Sequence, residues 1–159
     1  MSVTCEIRLA VPADATRIAA MSRDYVEDGL GWGWTPARVA RSIGDRATNV
    51  ALAEHGAELA GFGIMKYLDD DAHLLLFAVQ PPYRRHGIGT KLLDWLETTA
   101  TTAGIELIFL EARQANAAAR AFYAARGYRE LAVLPNYYGR EDAVRIGKDL
   151  GLPTTVRSA

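Results

Sequence analysis

The sequence predicts an α/β fold: a mixed, mostly antiparallel central sheet of about seven strands flanked by about four helices, in the order β-α-α-β-β-β-α-β-α-β-β. Three observations carry this. Two short runs, HLLLFAV (73–79) and IELIFLEA (105–112), are apolar on both faces and too short for helices, as strands covered on both sides are. After each comes a stretch with apolar residues at helical spacing, closed by a glycine. No internal repeat or low-complexity linker interrupts the chain, so residues 1–150 read as a single domain and 151–159, GLPTTVRSA, as a flexible tail.

Each element has its own signal. EIRLAV (6–11) alternates Ile7, Leu9 and Val11 on one face and reads as a strand. Pro12 and Asp14 suit a helix start, and Ile18, Met21, Ser22 and Tyr25 form one face of that helix. DGLGWGW (28–34) is a glycine-punctuated loop. Thr35 before Pro36 reads as an N-cap opening a second helix through Val39 and Ile43. NVALAE (49–54) and LAGFGIMKY (59–67) are strands joined by a tight turn at His55-Gly56. HLLLFAV then takes a central place. Ile88, Leu92, Leu96 and Ala103 trace a helix that stops at Gly104. IELIFLEA follows at once. Asn116 opens a further helix carrying Ala118, Phe122 and Ala125 and ending at Gly127. YRELAVL (128–134) and AVRIGKDL (143–150) are the last strands, separated by PNYYGRED (135–142) as a loop.

Half of the residues are hydrophobic, 23% are charged and the net charge is −1, so no global basic signature points to nucleic acid or an anionic membrane. No apolar run approaches the ~20 residues of a bilayer span, and no signal-peptide pattern opens the chain. The expectation is a cytoplasmic protein with neither kind of partner. The one cysteine, Cys5, reads as a buried thiol in reducing surroundings rather than a nucleophile.

The junction QPPYRRHGIGTKLL (80–93) stands out. It lies between a strand and a helix N-terminus, where unpaired backbone N–H groups and the positive end of the helix dipole form an anion site. Gly87 and Gly89 let main chain approach a ligand, and Arg84 and Arg85 add permanent charge. On the local pattern alone, phosphate binding and an ordinary glycine-opened helix both fit. Neither a Walker A loop nor a complete dinucleotide fingerprint is present.

Arg84-x-x-Gly87-x-Gly89 matches the Q/R-x-x-G-x-G/A signature of the GCN5-related N-acetyltransferases, and LEARQANAAARAFYAARGYRE (110–130) resembles that family's second strand–helix unit. The likeness extends over roughly residues 5–150, element order included. Within the superfamily, YRRHGIGTKLL, LEARQANAAARAFYAARGY and NYYGREDAV resemble the RimI-type ribosomal-protein alanine N-acetyltransferases. The N-terminal third, with its loop GLGWGWTPARV, resembles them less.

The resemblance implies acetyl transfer from acetyl-CoA to an amine, with a protein N-terminal amine as the expected acceptor. A small-molecule amine (antibiotic, polyamine or amino acid) and a non-catalytic acyl-CoA-binding domain are the alternatives. It implies that Arg84, Arg85, His86, Gly87, Ile88, Gly89 and Thr90 wrap the pyrophosphate of CoA, and that Asn116 hydrogen-bonds CoA while also serving as an N-cap. The main chain of Phe77, Ala78 and Val79 would pair with the pantetheine arm, with a Val79 N–H toward the thioester oxygen. Glu111 is then the general base, directly or through water, and Tyr123 the acid for the CoA thiolate. From pattern alone, Glu111 reads as a strand-end carboxylate meeting solvent or pairing with Arg113, and Tyr123 as a core tyrosine. Asn136, Tyr137 and Tyr138 are expected to line the acceptor cleft, and Trp32 and Trp34 either to face it or to plug the core. His55 and His73 read as turn and strand-edge residues, and no metal is expected. The assembly expected is a monomer or homodimer.

Overall fold

The alternating and doubly apolar runs of the sequence join into one seven-stranded sheet in the computed structural model, which describes residues 3–151. The elements follow the expected order: β1 Glu6–Leu9, α1 Ala15–Tyr25, α2 Pro36–Gly44, β2 Thr48–His55, β3 Glu58–Tyr67 and β4 Asp71–Val79. After them come α3 Ile88–Thr102, β5 Leu107–Arg113, α4 Ala117–Ala124, β6 Arg129–Tyr138 and β7 Glu141–Asp149. The spatial order is β1-β2-β3-β4-β5-β7-β6, with β4–β5 parallel and every other pair antiparallel. The expected tail from residue 152 lies outside the described residues.

Two apolar layers cover the sheet. Ile18 and Ala19 of α1 and Val39 of α2 pack with Leu52, Phe62 and Ile64 on one side. Leu92, Leu93, Leu96 and Ala100 of α3 pack with Met65, Leu74, Ile108 and Ile146 on the other, each leucine of α3 removing about 1.5–3 kcal/mol worth of apolar surface from water. Leu74 belongs to the second layer, yet Leu76 and Ala78 of the same strand belong to the first. A β-bulge explains the switch: Met65 pairs with Leu74 and Ile64 with Leu76, so Leu75 is an extra residue that turns the later part of β4 over. Phe77 consequently packs against the α3 layer.

Three of the boundaries that differ from the sequence reading have a visible local cause. β1 ends at Leu9, because the Asp14 carboxylate accepts from Val11 N (2.8 Å) and bends the chain into a 3-10 turn over Pro12–Asp14. β4 begins at Asp71, where Leu68 N donates to the Asp71 carbonyl (2.8 Å) and closes the β3–β4 hairpin early. β6 runs on through Pro135 to Tyr138, so most of the expected loop 135–142 is a strand with a turn around Gly139. An edge strand accommodates this, since a proline there withholds no ladder hydrogen bond, and the register shifts between Leu134 and Tyr138.

Candidate active site

β4 and β5 pair only at Asp71–Leu107, Ala72–Ile108 and His73–Phe109, and then part. The gap between them is where the molecule opens. Two cavities of about 660 and 610 Å³ lie there, and they share Tyr25, Phe77, Asn116, Ala119 and Tyr123 in their walls.

One cavity is floored by the glycine turn. β4 ends at Val79, whose carbonyl accepts from Arg84 Nε (2.9 Å), and Pro81–Tyr83 form a 3-10 turn. Gly87 is the N-cap of α3 at φ 78°, a left-handed conformation, and with no side chain to cap it the first N–H groups of the helix stay open. A Cβ on Gly87 would meet nothing within 4 Å, whereas one on Gly89 would lie 3.2 Å from the Phe122 ring. Gly89 therefore serves the α3–α4 packing as well as the turn. Arg84, Arg85 and Arg126 line this cavity. Arg126, which the sequence reading passed over, lies 3.8 Å above the Phe122 ring, donates to the Phe122 carbonyl (2.8 Å) and reaches Thr90 Oγ1 from Nε (2.9 Å). Its signal was a basic residue one turn after Phe122. Phe77, Ala78, Val79, Gly87, Gly89, Thr90 and Asn116 line the cavity as well, but His86 and Ile88 do not. Ile88 is buried beside Cys5, Ala53 and Ala60, so its main chain alone can face a ligand.

The other cavity contains Glu111. Its side chain is only 6% exposed, and both oxygens are engaged. His73 Nε2 lies 2.6 Å from Oε1, the Tyr137 hydroxyl donates to Oε1 at 3.4 Å, and Arg145 Nε donates to Oε2 at 3.0 Å. Burial pushes the Glu111 carboxyl up, but the hydrogen bonds and charge of His73 and Arg145 outweigh it and hold the group below the ordinary carboxylate range. Arg113, one candidate partner from the sequence, instead donates to the Val26 carbonyl (3.1 Å) and Glu141 (3.5 Å). His73 is also not a strand-edge residue. With β4 starting early it sits inside the sheet, opposite Lys66 of β3 and Phe109 of β5, stacked 4.3 Å from the Phe109 ring.

Tyr123 stands where the cavities meet. Its residue is 6% exposed, with Phe122, Phe77 and Tyr128 around it, and burial pushes its phenol well above the usual tyrosine range. Asn116 caps α4 by accepting from Ala119 N (3.1 Å) and lines both cavities. Tyr138 donates to the Glu111 carbonyl (3.2 Å) beside Tyr137.

The α1–α2 loop forms the far wall. Glu27 is buried and organises it: Gly33 N (2.7 Å) and Trp34 N (3.1 Å) donate to one oxygen, Ser22 Oγ (2.8 Å) to the other. Trp34 is buried, lies under the Arg38 guanidinium at 3.8 Å and lines the Glu111 cavity. Two residues expected in the cleft are not in its wall. Trp32 turns away because its Nε1 donates to the Ala19 carbonyl (3.3 Å) and its ring sits 5.3 Å from the Arg23 guanidinium. Asn136 is exposed at φ 54° in the register shift of β6, where its N–H donates to Asp142 (2.9 Å). Among the described residues, no cluster of three or more His, Cys, Asp or Glu could hold a metal, and no helix is long and apolar enough to cross a membrane.

The chain as a whole is similar to known proteins. Residues 18–128 match the acetyltransferase (GNAT) family. The chain belongs to that family. The acetyltransferase is 37% identical over 115 residues to the ribosomal protein bS18-alanine N-acetyltransferase of Escherichia coli (strain K12), a match covering 70% of this chain and 77% of that one. The crystal structure of the ribosomal-protein-S18-alanine N-acetyltransferase from Escherichia coli superposes with a TM-score of 0.79 at 28% identity, covering 94% of this chain and 96% of that one. The fold is likewise that of Ard1 from Thermoplasma volcanium, with a TM-score of 0.83 at 24% identity and 94% and 100% coverage. The seven-stranded mixed sheet with its four helices and the transferase class expected from the two motifs both stand.

Proposed function

We propose that this acetyltransferase moves the acetyl group of acetyl-CoA directly to the free N-terminal amine of a protein; its Escherichia coli relative is named as an alanine N-acetyltransferase of ribosomal protein bS18. One observation supports this most: the anion-accepting turn and the carboxylate lie in separate cavities that share Tyr123. A donor and an acceptor can then be held together, with the reacting atoms at the common wall.

In this reading the N–H groups at Gly87, Ile88, Gly89 and Thr90 hold the pyrophosphate, with Arg84, Arg85 and Arg126 supplying charge. The main chain of Phe77, Ala78 and Val79, on the edge that β5 leaves free, pairs with the pantetheine arm. The Tyr137 and Tyr138 rings and Trp34 flank the acceptor. A peptide ammonium has a pKa near ~8, so only about a tenth is neutral at pH 7 and a proton must be drawn off. Glu111 is the anion on which that removal is built. Tyr123 gives its hydroxyl proton to the sulfur as the C–S bond breaks; burial keeps the phenol protonated, and the thiolate charge developing beside it draws the proton off. The reaction belongs to the cytoplasm, and the enzyme works as a monomer or homodimer with no nucleic acid or membrane.

The test is a panel of peptides with free and blocked N-termini, lysine peptides and small amines, read by CoA release. Turnover confined to free peptide N-termini, Ala or Ser first, supports the reading. Efficient turnover of a small amine without peptide activity refutes it and favours the antibiotic, polyamine or amino-acid alternative.

A further inference from the structure

We propose that His73 is a further catalytic residue of this acetyl transfer, its imidazole taking the acceptor's ammonium proton while Glu111 orients it. The inference rests on the reading that proton removal is built on Glu111, and it names the group that receives the proton.

Glu111 is poorly placed to receive it. Oε1 is taken by His73 and Tyr137 and Oε2 by Arg145, and the side chain is 6% exposed against 24% for His73. A carboxylate so supplied with donors, and held below its ordinary range, is a weak acceptor for a proton leaving an ammonium of pKa ~8. A neutral imidazole with one lone pair open is a fitter acceptor than a carboxylate whose oxygens are already supplied with donors. Both side chains line the same cavity.

The contact also settles which nitrogen is available. An ionised carboxylate can only accept, so at 2.6 Å His73 Nε2 must carry the proton and donate to Glu111 Oε1. That leaves the lone pair on Nδ1, which has no hydrogen-bond partner among the described residues. Stacking on Phe109 at 4.3 Å, with 17° between the planes, fixes the ring. A carboxylate holding one imidazole nitrogen so that the other can take a proton is the logic of hydrolytic triads on unrelated folds.

The proton count closes. R–NH3⁺ gives one proton to Nδ1, and the imidazolium is stabilised by Glu111. The neutral amine attacks the thioester carbon, forming the C–N bond. As the C–S bond breaks, Tyr123 protonates sulfur and regains the second proton from nitrogen. Ammonium and thioester become amide, thiol and one proton, which His73 returns to water.

The pair was invisible to motif reading because its members are 38 residues apart and meet only through the parallel β4–β5 register.

The test uses the full chain with acetyl-CoA and an Ala-terminated peptide. His73→Gln keeps a donor for Glu111 but has no basic nitrogen, and His73→Ala removes both. Each should lower kcat by roughly 10²-fold or more with acetyl-CoA KM little changed, and free imidazole should restore part of the His73→Ala rate. Independently of activity, nitrogen NMR of the three histidines should show His73 locked with Nε2 protonated and Nδ1 bare, a lock lost in Glu111→Gln. His73→Gln turnover within about threefold of the parent overturns the proposal, as does an Nδ1-protonated tautomer. If the parent acetylates only a small amine, the peptide reading alone fails, and the same variants are scored with that amine.

Discussion

Gly87→Val separates anion binding from helix stability. Gly87 sits at φ 78° with open space where a Cβ would go, so the added Cβ meets nothing in the free protein. Its cost there is backbone strain, about 1–3 kcal/mol for a β-branched residue forced into the left-handed region. In a chain of this size that is about 2–4 °C of Tm per kcal/mol. Acetyl-CoA should lose more, because the new side chain fills the space in front of the open N–H groups. Two charge-assisted hydrogen bonds of about 1.5–3 kcal/mol each are at stake, so Kd should rise at least ~100-fold. The same helix supplies its own control. Gly104, just past the other end, has φ 83° and equally open surroundings. Gly104→Val should match the Tm loss and leave acetyl-CoA affinity unchanged. Calorimetric titration of both variants, alongside thermal melts, reads the difference. If Gly87→Val binds acetyl-CoA as well as Gly104→Val does, the turn is not the anion site.

Further outcomes follow from other contacts. Tyr123→Phe should lower kcat by roughly 10–10²-fold with acetyl-CoA affinity unchanged, since only a transition-state proton transfer is lost; an equal fall in affinity would place the hydroxyl in ground-state binding instead. Arg126→Gln should weaken acetyl-CoA about tenfold and reduce the salt dependence of binding, as expected for one charge near a phosphate; salt dependence equal to the parent's contradicts that placement. The buried Asp14 carboxylate accepts from Arg8, Arg17 and Val11 N. Burial pushes its pKa up, but these donors hold it far below the usual range, so its stabilisation is complete above ~4 and is lost only as pH falls through the depressed value. Asp14→Asn should therefore cost about 2–3 kcal/mol at pH 7, toward the low end for a buried pair because both arginines are about one-third exposed, and much less in strong acid. Chemical denaturation at two pH values measures it.

Local signals in the sequence translated directly into structure. Thr35 and Asn116 cap the helices they were expected to cap, accepting from Arg38 N and Ala119 N. Gly104 and Gly127 end α3 and α4 with positive φ. What stayed hidden was set by distant parts of the chain. The bulge at Leu75 depends on how β3 registers against β4, and nothing in HLLLFAV announces it. Arg113 of β5 ties down the start of the α1–α2 loop from 87 residues away, and Glu27 binds the loop to itself through backbone donors that no side-chain pattern announces. Trp32 and Trp34 are two residues apart in a glycine loop, and only the buried Glu27 decides that the second ring goes inward. Asn136 was misplaced because Pro135 looked like a strand end, which at a sheet edge it need not be. His73 read as a strand-edge residue because a lone histidine at the start of an apolar run carries no further signal until its partner is known.

The central claim is that two cavities meeting at Tyr123 let acetyl pass directly between two bound substrates. Cys5, the single thiol of the chain, is buried and lines neither cavity, so it cannot relay the group. Initial velocities measured over a grid of acetyl-CoA and peptide concentrations test this most directly. The account predicts intersecting double-reciprocal lines, the mark of a ternary complex. Parallel lines, together with an acetylated form of the enzyme in the mass spectrum when acetyl-CoA is added alone, would contradict it.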